Sequence, residues 1–202
     1  MKLASIIVTI LLLFAGIGWY VLHGDECSSD GYIGAGTTVF KKDDEGNVFL
    51  LLAYERGRGW STFGGGPKKL DLEQSVSGCE TPDQTAVRES VEESRTLLSA
   101  KLLSSAITNA KFYANPTSRG DYITFLIELE QPLELNQYYS AQLPNDPGYY
   151  ETSEIAWIAL DDILTRGRFV ETPNGQPLWD VFYQQFDAML QSQPEHYWFN
   201  QQ

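Results

Sequence analysis

Glu89, Glu92 and Glu93 stand three and four residues apart, so on a helix they share one face, with Arg88 beside them. Like charges at that spacing repel, and a bound cation removes the cost. Clustered carboxylate oxygens suit the hard ions Mg2+ and Mn2+, and Mg2+ in particular is usually shared between protein carboxylates, water and substrate phosphates. The chemistry indicated is therefore reaction at phosphate. Charge patterning alone equally describes a solvated acidic face, so the flanking residues have to decide.

The elements that must hold this face are partly readable. Thr81 can cap a helix, Pro82 suits its first position, and Gln84 completes a capping box, which predicts a helix running from there to about Leu98. Its packing side would carry Val87, Val91, Ser94 and Leu98. Upstream, Arg56-Gly57-Arg58-Gly59-Trp60 leads into Phe63-Gly64-Gly65-Gly66-Pro67, where glycines let the backbone turn sharply and approach a ligand. Residues 68–78 show no period and read as an inserted irregular loop. Residues 32–40 and 48–54 read as strands joined by a turn at 44–47, and 102–113 and 122–129 as two more, joined by a turn at 115–121. The polar, Pro-containing stretch 131–152 is long enough for a lid or substrate loop. A strand at 154–160 with Trp157, a short helix at 161–165 and an amphipathic helix at 177–191 complete a chain with no internal repeat. Such a mixture implies a layered α/β or α+β domain.

At 202 residues, 43% hydrophobic and 13% aromatic, the chain can build one sizeable core. Fourteen basic against 27 acidic residues give a formal charge of -13, which argues against general nucleic-acid binding. Lys2 precedes an uncharged apolar run from residue 3 to residue 22, about 20 residues and enough to cross a bilayer as a helix. Residues 1–24 are therefore expected to be a single-pass membrane anchor. Asp25, Glu26 and Asp30 after the run place the domain on the non-cytoplasmic side. The rival reading is a cleaved signal, with small residues at Ala15-Gly16-Ile17-Gly18 and a secreted or periplasmic product. Cys27 and Cys79 are too few for a thiolate zinc site; export would permit a disulfide, and two free thiols fit equally well. Gly24-Asp25-Glu26 ahead of Cys27 is not a lipid-attachment context.

Glu80, seven residues, then Arg88-Glu89-Ser90-Val91-Glu92-Glu93, preceded by the glycine loop, resembles the Nudix box. That family's pattern is Gly, five residues, Glu, seven residues, Arg-Glu, an aliphatic, any residue, Glu-Glu, any residue, Gly and an aliphatic. The chain departs from it at Gln74 in the first glycine position, so that Gly64, Gly65 and Gly66 would serve across an insertion of about eight residues, and at Ser90, Arg95 and Thr96. The resemblance implies an α/β/α sandwich around a mixed β-sheet over residues 30–195. It also implies Glu89, Glu92 and Glu93 as ligands of Mg2+ or Mn2+, Arg88 as their orienting partner, Glu80 in support, and a carbonyl from Gly65 or Gly66 completing the coordination. The implied activity is hydrolysis of a nucleoside diphosphate linked to another moiety, of the ADP-ribose, nucleotide-sugar or dinucleotide class. Glu151 and Glu154 are candidates for a further catalytic carboxylate. Arg56, Arg58 and Arg119 are candidates for holding phosphates, and Trp60, Phe112 or Tyr113 for stacking on a base. Two alternatives remain open: a Nudix-like nucleotide-binding module with weak or no catalysis, motivated by Ser90, Arg95 and Thr96, and a membrane-tethered interaction protein using the 131–152 loop.

Overall fold

The computed structural model describes Cys27 and residues 31–70, 78–131 and 133–200. The expected anchor or signal segment and the middle of the inserted loop lie outside these residues. Among the described residues no helix is long and apolar enough to cross a membrane.

Strand β1 (Tyr32–Lys42) runs through the middle of a seven-stranded sheet ordered β3-β2-β1-β6-β5, with β4 also on β1 and β7 also on β2. The others are β2 (Val48–Glu55), β3 (Gly59–Ser61), β4 (Phe63–Gly65), β5 (Lys111–Thr117), β6 (Gly120–Glu128) and β7 (Thr152–Ala159). β1 and β6 are parallel and the remaining pairs antiparallel, so the sheet is mixed. The run Val-Phe-Leu-Leu-Leu-Ala-Tyr-Glu in β2 is apolar without alternation because both faces of the sheet are covered. Successive side chains point to opposite faces, and the core divides accordingly. Leu51, Ala53, Val39, Ile127 and Ile155 pack with Ala86 of helix α1 (Pro82–Glu93) and with Leu103 and Ile107 of α2 (Ala100–Ile107). Leu50, Leu52, Leu126 and Ile158 pack on the other side. Their partners there are Ile163 of α4 (Leu160–Arg166), Phe182, Phe186 and Met189 of α5 (Asp180–Ser192), and Trp198 and Phe199 of α6 (Glu195–Phe199). Helices therefore cover both faces, the layering expected from the sequence, and the body continues beyond residue 195.

Several local expectations are corrected. Residues 102–113 are not one strand: Ser99 caps α2 by accepting the Leu102 N–H, Leu103 and Ile107 four apart are buried, and β5 begins only at Lys111. α1 ends at Glu93 instead of reaching Leu98, because Arg95 and Thr96 adopt left-handed backbone angles (φ 53° and 67°) that a continuing helix cannot use. The 131–152 connection is not featureless, since α3 (Asn136–Ser140) buries Tyr138 fully and a 3-10 turn forms at Pro147–Tyr150. The β5–β6 hairpin is tighter than expected, with Thr117 paired to Gly120.

Cys27 and Cys79 are joined in a disulfide with Cα atoms 5.8 Å apart, closing the two alternatives left by the sequence. Fifty-two residues separate them, and loop closure of that length reduces unfolded-state freedom by about 4 kcal/mol in the chain-entropy account. The bridge also fixes the backbone immediately before Glu80.

Candidate active site

Two elements bring the acidic helix to the glycine loop. α1 starts where expected, with the Thr81 N–H donating to Gln84 Oε1 (2.9 Å). β4 pairs with the first half of β1, Ala35 opposite Gly65 and Gly36 opposite Gly64, which lays the glycines alongside α1. The approach is close at Gly65, where a Cβ would stand 2.4 Å from Glu89 Oε1 and would push that carboxylate aside. Gly148 in the 3-10 turn is constrained in the same way, its Cβ position lying 2.6 Å from Glu92 Oε2.

Arg88 is the organising cation. Its Nε and Nη2 donate to the two oxygens of Glu80 (2.8 and 2.9 Å), Nη1 to Glu89 Oε1 (2.8 Å) and Glu92 Oε2 (3.0 Å), and Nη2 also to the Gly66 carbonyl (2.7 Å). Burial pulls the Arg88 pKa down, but Glu80 and Glu89 more than reverse this and leave it above the ordinary guanidinium value. Glu80 is the complementary case. Burial would raise its carboxyl, yet Arg88, the Lys68 N–H (2.9 Å) and the Thr85 hydroxyl (3.2 Å) hold it below the usual range.

The other acids are less well compensated. Burial pushes Glu93 well above the ordinary carboxylate range; the Gly64 N–H bonded to its Oε2 (2.8 Å) opposes this, while Glu89, Glu151 and Glu55 add to it. Glu89 is likewise raised by burial, against the pull of Arg88, with Glu92 and Glu151 adding repulsion. Glu55 at the end of β2 is raised by burial, opposed by Arg58 and pushed further by Glu151. Glu92 receives the Lys68 ammonium at 3.1 Å, in addition to Arg88. Glu89 and Glu92 line a cleft of about 440 Å³ together with Arg58, Gly65, Lys68, Arg88, Asp146 and Glu151, whereas Glu55 and Glu93 line an adjoining small pocket that shares Arg58 and Gly64 with it.

Several contacts fix the far wall of the cleft. Tyr138 Oη donates to Thr152 Oγ1 (2.9 Å), which donates to the Glu93 carbonyl (2.6 Å), and Arg95 Nη2 donates to the Thr152 carbonyl (2.7 Å). Glu151, next to Thr152, is thereby held at the end of α1. Arg95, standing where the glycine was expected, also stacks over the Tyr138 ring at 4.5 Å. Ser90, standing where an aliphatic was expected, is fully buried; its Oγ donates to the Ala86 carbonyl (2.7 Å) and meets Thr37 Oγ1 of β1 (2.7 Å).

Not every candidate reaches the cleft. Trp60 is fully buried, its Nε1 donating to Asn174 Oδ1 (2.8 Å), so it is a core side chain unable to stack on a ligand. Glu154 accepts from Asn174 Nδ2 (2.9 Å) in the same buttress and does not line the cleft, whereas Glu151 does. Arg56 and Arg119 sit on exposed turns away from the cleft lining, whereas Arg58 lines it, pairing with Glu55 (2.8 Å) and lying over Trp179 at 5.2 Å. The Gly66 carbonyl is engaged by Arg88. Tyr113 packs edge-on against Trp198, while Phe112 is 59% exposed. Residues missed by the sequence reading are Lys68, Glu55, Asp146, Gly148 and Tyr122, whose hydroxyl abuts Gly64 and whose pKa is raised by burial and by Glu93 and Glu89. Lys68 alone carried a signal, as the first cation after the glycine run.

Among the described residues no group of three or more His, Cys, Asp or Glu side chains is gathered as a formed metal site. The donor set nevertheless fits a hard divalent cation. It is all carboxylate, the acids raise one another's pKa, and the cation resting on Glu92 is Lys68, a flexible side chain half exposed at 50%.

No protein-family model and no curated protein matches the chain. Solved structures do. It is similar to RenU, a Nudix hydrolase from M. smegmatis, at 17% identity over 81% of this chain and 88% of that one, with a TM-score of 0.42. A Nudix hydrolase from Alicyclobacillus acidocaldarius matches at 13% identity, 86% and 98% coverage and a TM-score of 0.45. The NUDIX domain of Shewanella oneidensis NrtR, solved with ADP ribose, matches at 15% identity, 86% and 97% coverage and 0.37. At such identities and scores, the functional reading rests on the cleft itself.

Proposed function

We propose that this chain is a metal-dependent hydrolase of the Nudix type that splits the diphosphate of a nucleoside diphosphate derivative. The observation that carries the reading is the convergence of Glu89, Glu92, Glu151, Arg58, Lys68 and Arg88 on one cleft beside the glycine loop, with Glu93 in the adjoining pocket bonded to the Gly64 N–H that borders both. Glu89, Glu92 and Glu93 would hold Mg2+ or Mn2+. The chemistry supplied by such a bound cation is neutralisation of diphosphate charge and Lewis-acid polarisation of the reacting phosphoryl group. Arg88 fixes the rotamers of Glu89 and Glu92, and Glu80 fixes Arg88, so the ligand oxygens are oriented in advance. Arg58 and Lys68 line the cleft where phosphate oxygens would lie. Glu151, on the far wall, accepts the proton of the attacking water as the new P–O bond forms and the anhydride P–O bond breaks, one phosphate leaving with the electron pair. The substrate is a nucleoside diphosphate linked to another moiety, with ADP-ribose, nucleotide sugars and dinucleotides as the first classes to test. The apolar run at residues 3–22 anchors the protein with this domain on the non-cytoplasmic side, a reading supported by the Cys27–Cys79 disulfide, a bond that persists in oxidising compartments.

One observation favours a second reading, a nucleotide-binding module with little or no turnover: Glu92 is already doubly paired, with Lys68 and Arg88. The deciding measurement is hydrolysis of a panel of nucleoside diphosphate derivatives by the full-length protein with Mg2+, Mn2+ or EDTA. Turnover that needs the metal and is lost in Glu92→Gln supports the hydrolase. A folded, metal-binding protein inert across the panel favours the binding module.

A further inference from the structure

A second cavity adjoins the cleft. It is a groove of about 840 Å³ between α1, α2 and the β5–β6 hairpin, walled by Val87, Val91, Ile107, Phe112, Ile123 and Phe125. That volume falls within the range of about 300–1,000 Å³ typical of sites that engulf an organic ligand. Arg88 and Glu92 line both groove and cleft, and Tyr149 of the groove follows Gly148 of the cleft, so the two are continuous. On the other side, Arg58 and Gly64 connect the cleft to a pocket of only about 40 Å³ against α5, room for about one water.

From this contrast we infer that the groove binds a hydrocarbon chain carried on the diphosphate, so that the substrate is a nucleoside diphosphate esterified to a long apolar group. The inference rests on the hydrolase reading for its diphosphate. Three observations select a chain over a nucleobase. The walls are mostly aliphatic and phenyl; the polar lining is Asp83 and Gln84 at the start of α1, Ser104 on α2 and Thr108 just after it, Arg88 and Glu92 at the cleft mouth, and Tyr149. Arg88, beside Glu92 at the cleft end, is the only cation among the described residues lining the groove, and Asp83 lies nearer the helix start, so the phosphates of an amphiphile would sit at the cleft end. The groove also lies near the expected membrane segment, because Pro82 lines it, Cys79 three residues earlier is bonded to Cys27, and the five residues from Leu22 to Cys27 reach at most about 18 Å. A lipid-dissolved tail could pass from the bilayer into the groove without crossing much water.

The test uses full-length protein in phosphatidylcholine nanodiscs and methylene-bridged ADP analogues bearing butyl, octyl or dodecyl groups on the terminal phosphate. Binding is measured by calorimetry for the wild type, Ser104→Trp and Thr108→Trp, two exposed positions on and just after α2 where an indole would fill the groove. Partition into lipid is common to all three proteins. Wild-type affinity should rise about fourfold for each methylene buried, and both tryptophan variants should flatten that rise by at least tenfold at dodecyl. Affinity independent of chain length, an unchanged slope in both variants, or a dependence on the base (adenine against uracil) in place of chain length overturns the inference. Parallel turnover of ADP-ribose separates the two readings. Turnover without a chain-length effect removes the groove's occupant and keeps the hydrolase, whereas a chain-length effect without turnover of any diphosphate keeps the occupant and removes the hydrolase.

Discussion

The two ends of α1 hold acids of the same type in opposite electrostatic states. Before its first turn, Glu80 takes two hydrogen bonds from Arg88 and one from the Lys68 backbone, and its carboxyl is held below the ordinary value. At its last residue, Glu93 is buried with the Gly64 N–H as its side-chain partner and with Glu89, Glu151 and Glu55 repelling it, and its carboxyl is held well above. A buried charge with its partners in place is a structural joint. A buried charge surrounded by like charges is poised for a cation to arrive. One short helix thus separates scaffold from chemistry, and substitutions at the two ends should separate folding from turnover.

The largest effect is expected at the second end. Glu93→Gln keeps size and an oxygen to accept the Gly64 N–H but removes a charge, and should lower metal-dependent kcat at least about a hundredfold with the fold retained, as read by steady-state kinetics beside circular dichroism. Retained activity would mean that Glu93 is not part of the chemistry. At the first end the balance reverses. Glu80→Ala removes two of the five hydrogen bonds that the Arg88 guanidinium makes among the described residues and the partner of the Lys68 N–H, and should cost about 3 kcal/mol in chemical denaturation, with kcat falling only as far as Arg88 loses its aim. A stability loss below ~1 kcal/mol would show the joint to be ornamental.

The pH dependence sharpens the contrast. A carboxyl whose folded pKa lies above its unfolded value is easier to ionise once the chain unfolds, so its effect on stability worsens as pH rises from about 4.5 through the raised value. In EDTA, Glu93→Gln should therefore melt at the same temperature as the wild type near pH 4 and several degrees higher at pH 8. Glu80 contributes in the opposite sense, its stabilisation fading as pH falls from the ordinary carboxylate value through the depressed one, and Glu93→Gln should leave that acid limb untouched. Equal melting temperatures at both pH values would remove the asymmetry. The smallest effect concerns the turn that ends the helix. Arg95→Ala keeps the left-handed backbone and loses both the bond to Thr152 and the stack on Tyr138, whereas Arg95→Gly loses the same contacts but relieves the backbone. The glycine variant should be the more stable of the two by about 1 kcal/mol, measured by urea titration.

What the sequence made legible was local. Thr81, Pro82 and Gln84 announce the start of α1, and the eight-residue step from Glu80 to Arg88 spans only a cap and two turns, so geometry follows directly from spacing. The continuous apolar run of β2 likewise announces a strand covered on both faces. Three kinds of information were out of reach. Helix and strand compete closely where Leu102 and Leu103 sit among serines and alanines, and there tertiary packing decided for a helix. The end of α1 depends on backbone angles that arginine and threonine seldom adopt, and the contacts of Arg95 with Thr152 and Tyr138 that secure them come from more than forty positions away. The rest of the cleft is assembled across the chain. Lys68 arrives from one loop and Asp146 and Glu151 from the two sides of the 3-10 turn in another, and nothing in the types of Glu151 and Glu154 distinguished an acid facing the cleft from one bonded to Asn174 behind it.

The bridge between Cys27 and Cys79 turns β1 to β4 and the glycine loop into part of a closed covalent ring. Cutting any single peptide bond between those cysteines, the inserted stretch included, opens the ring without dividing the molecule. A nicked protein of this kind would migrate as one species on a non-reducing gel and as two under reduction, and a tether at the amino terminus would still hold the acidic helix after such a cut.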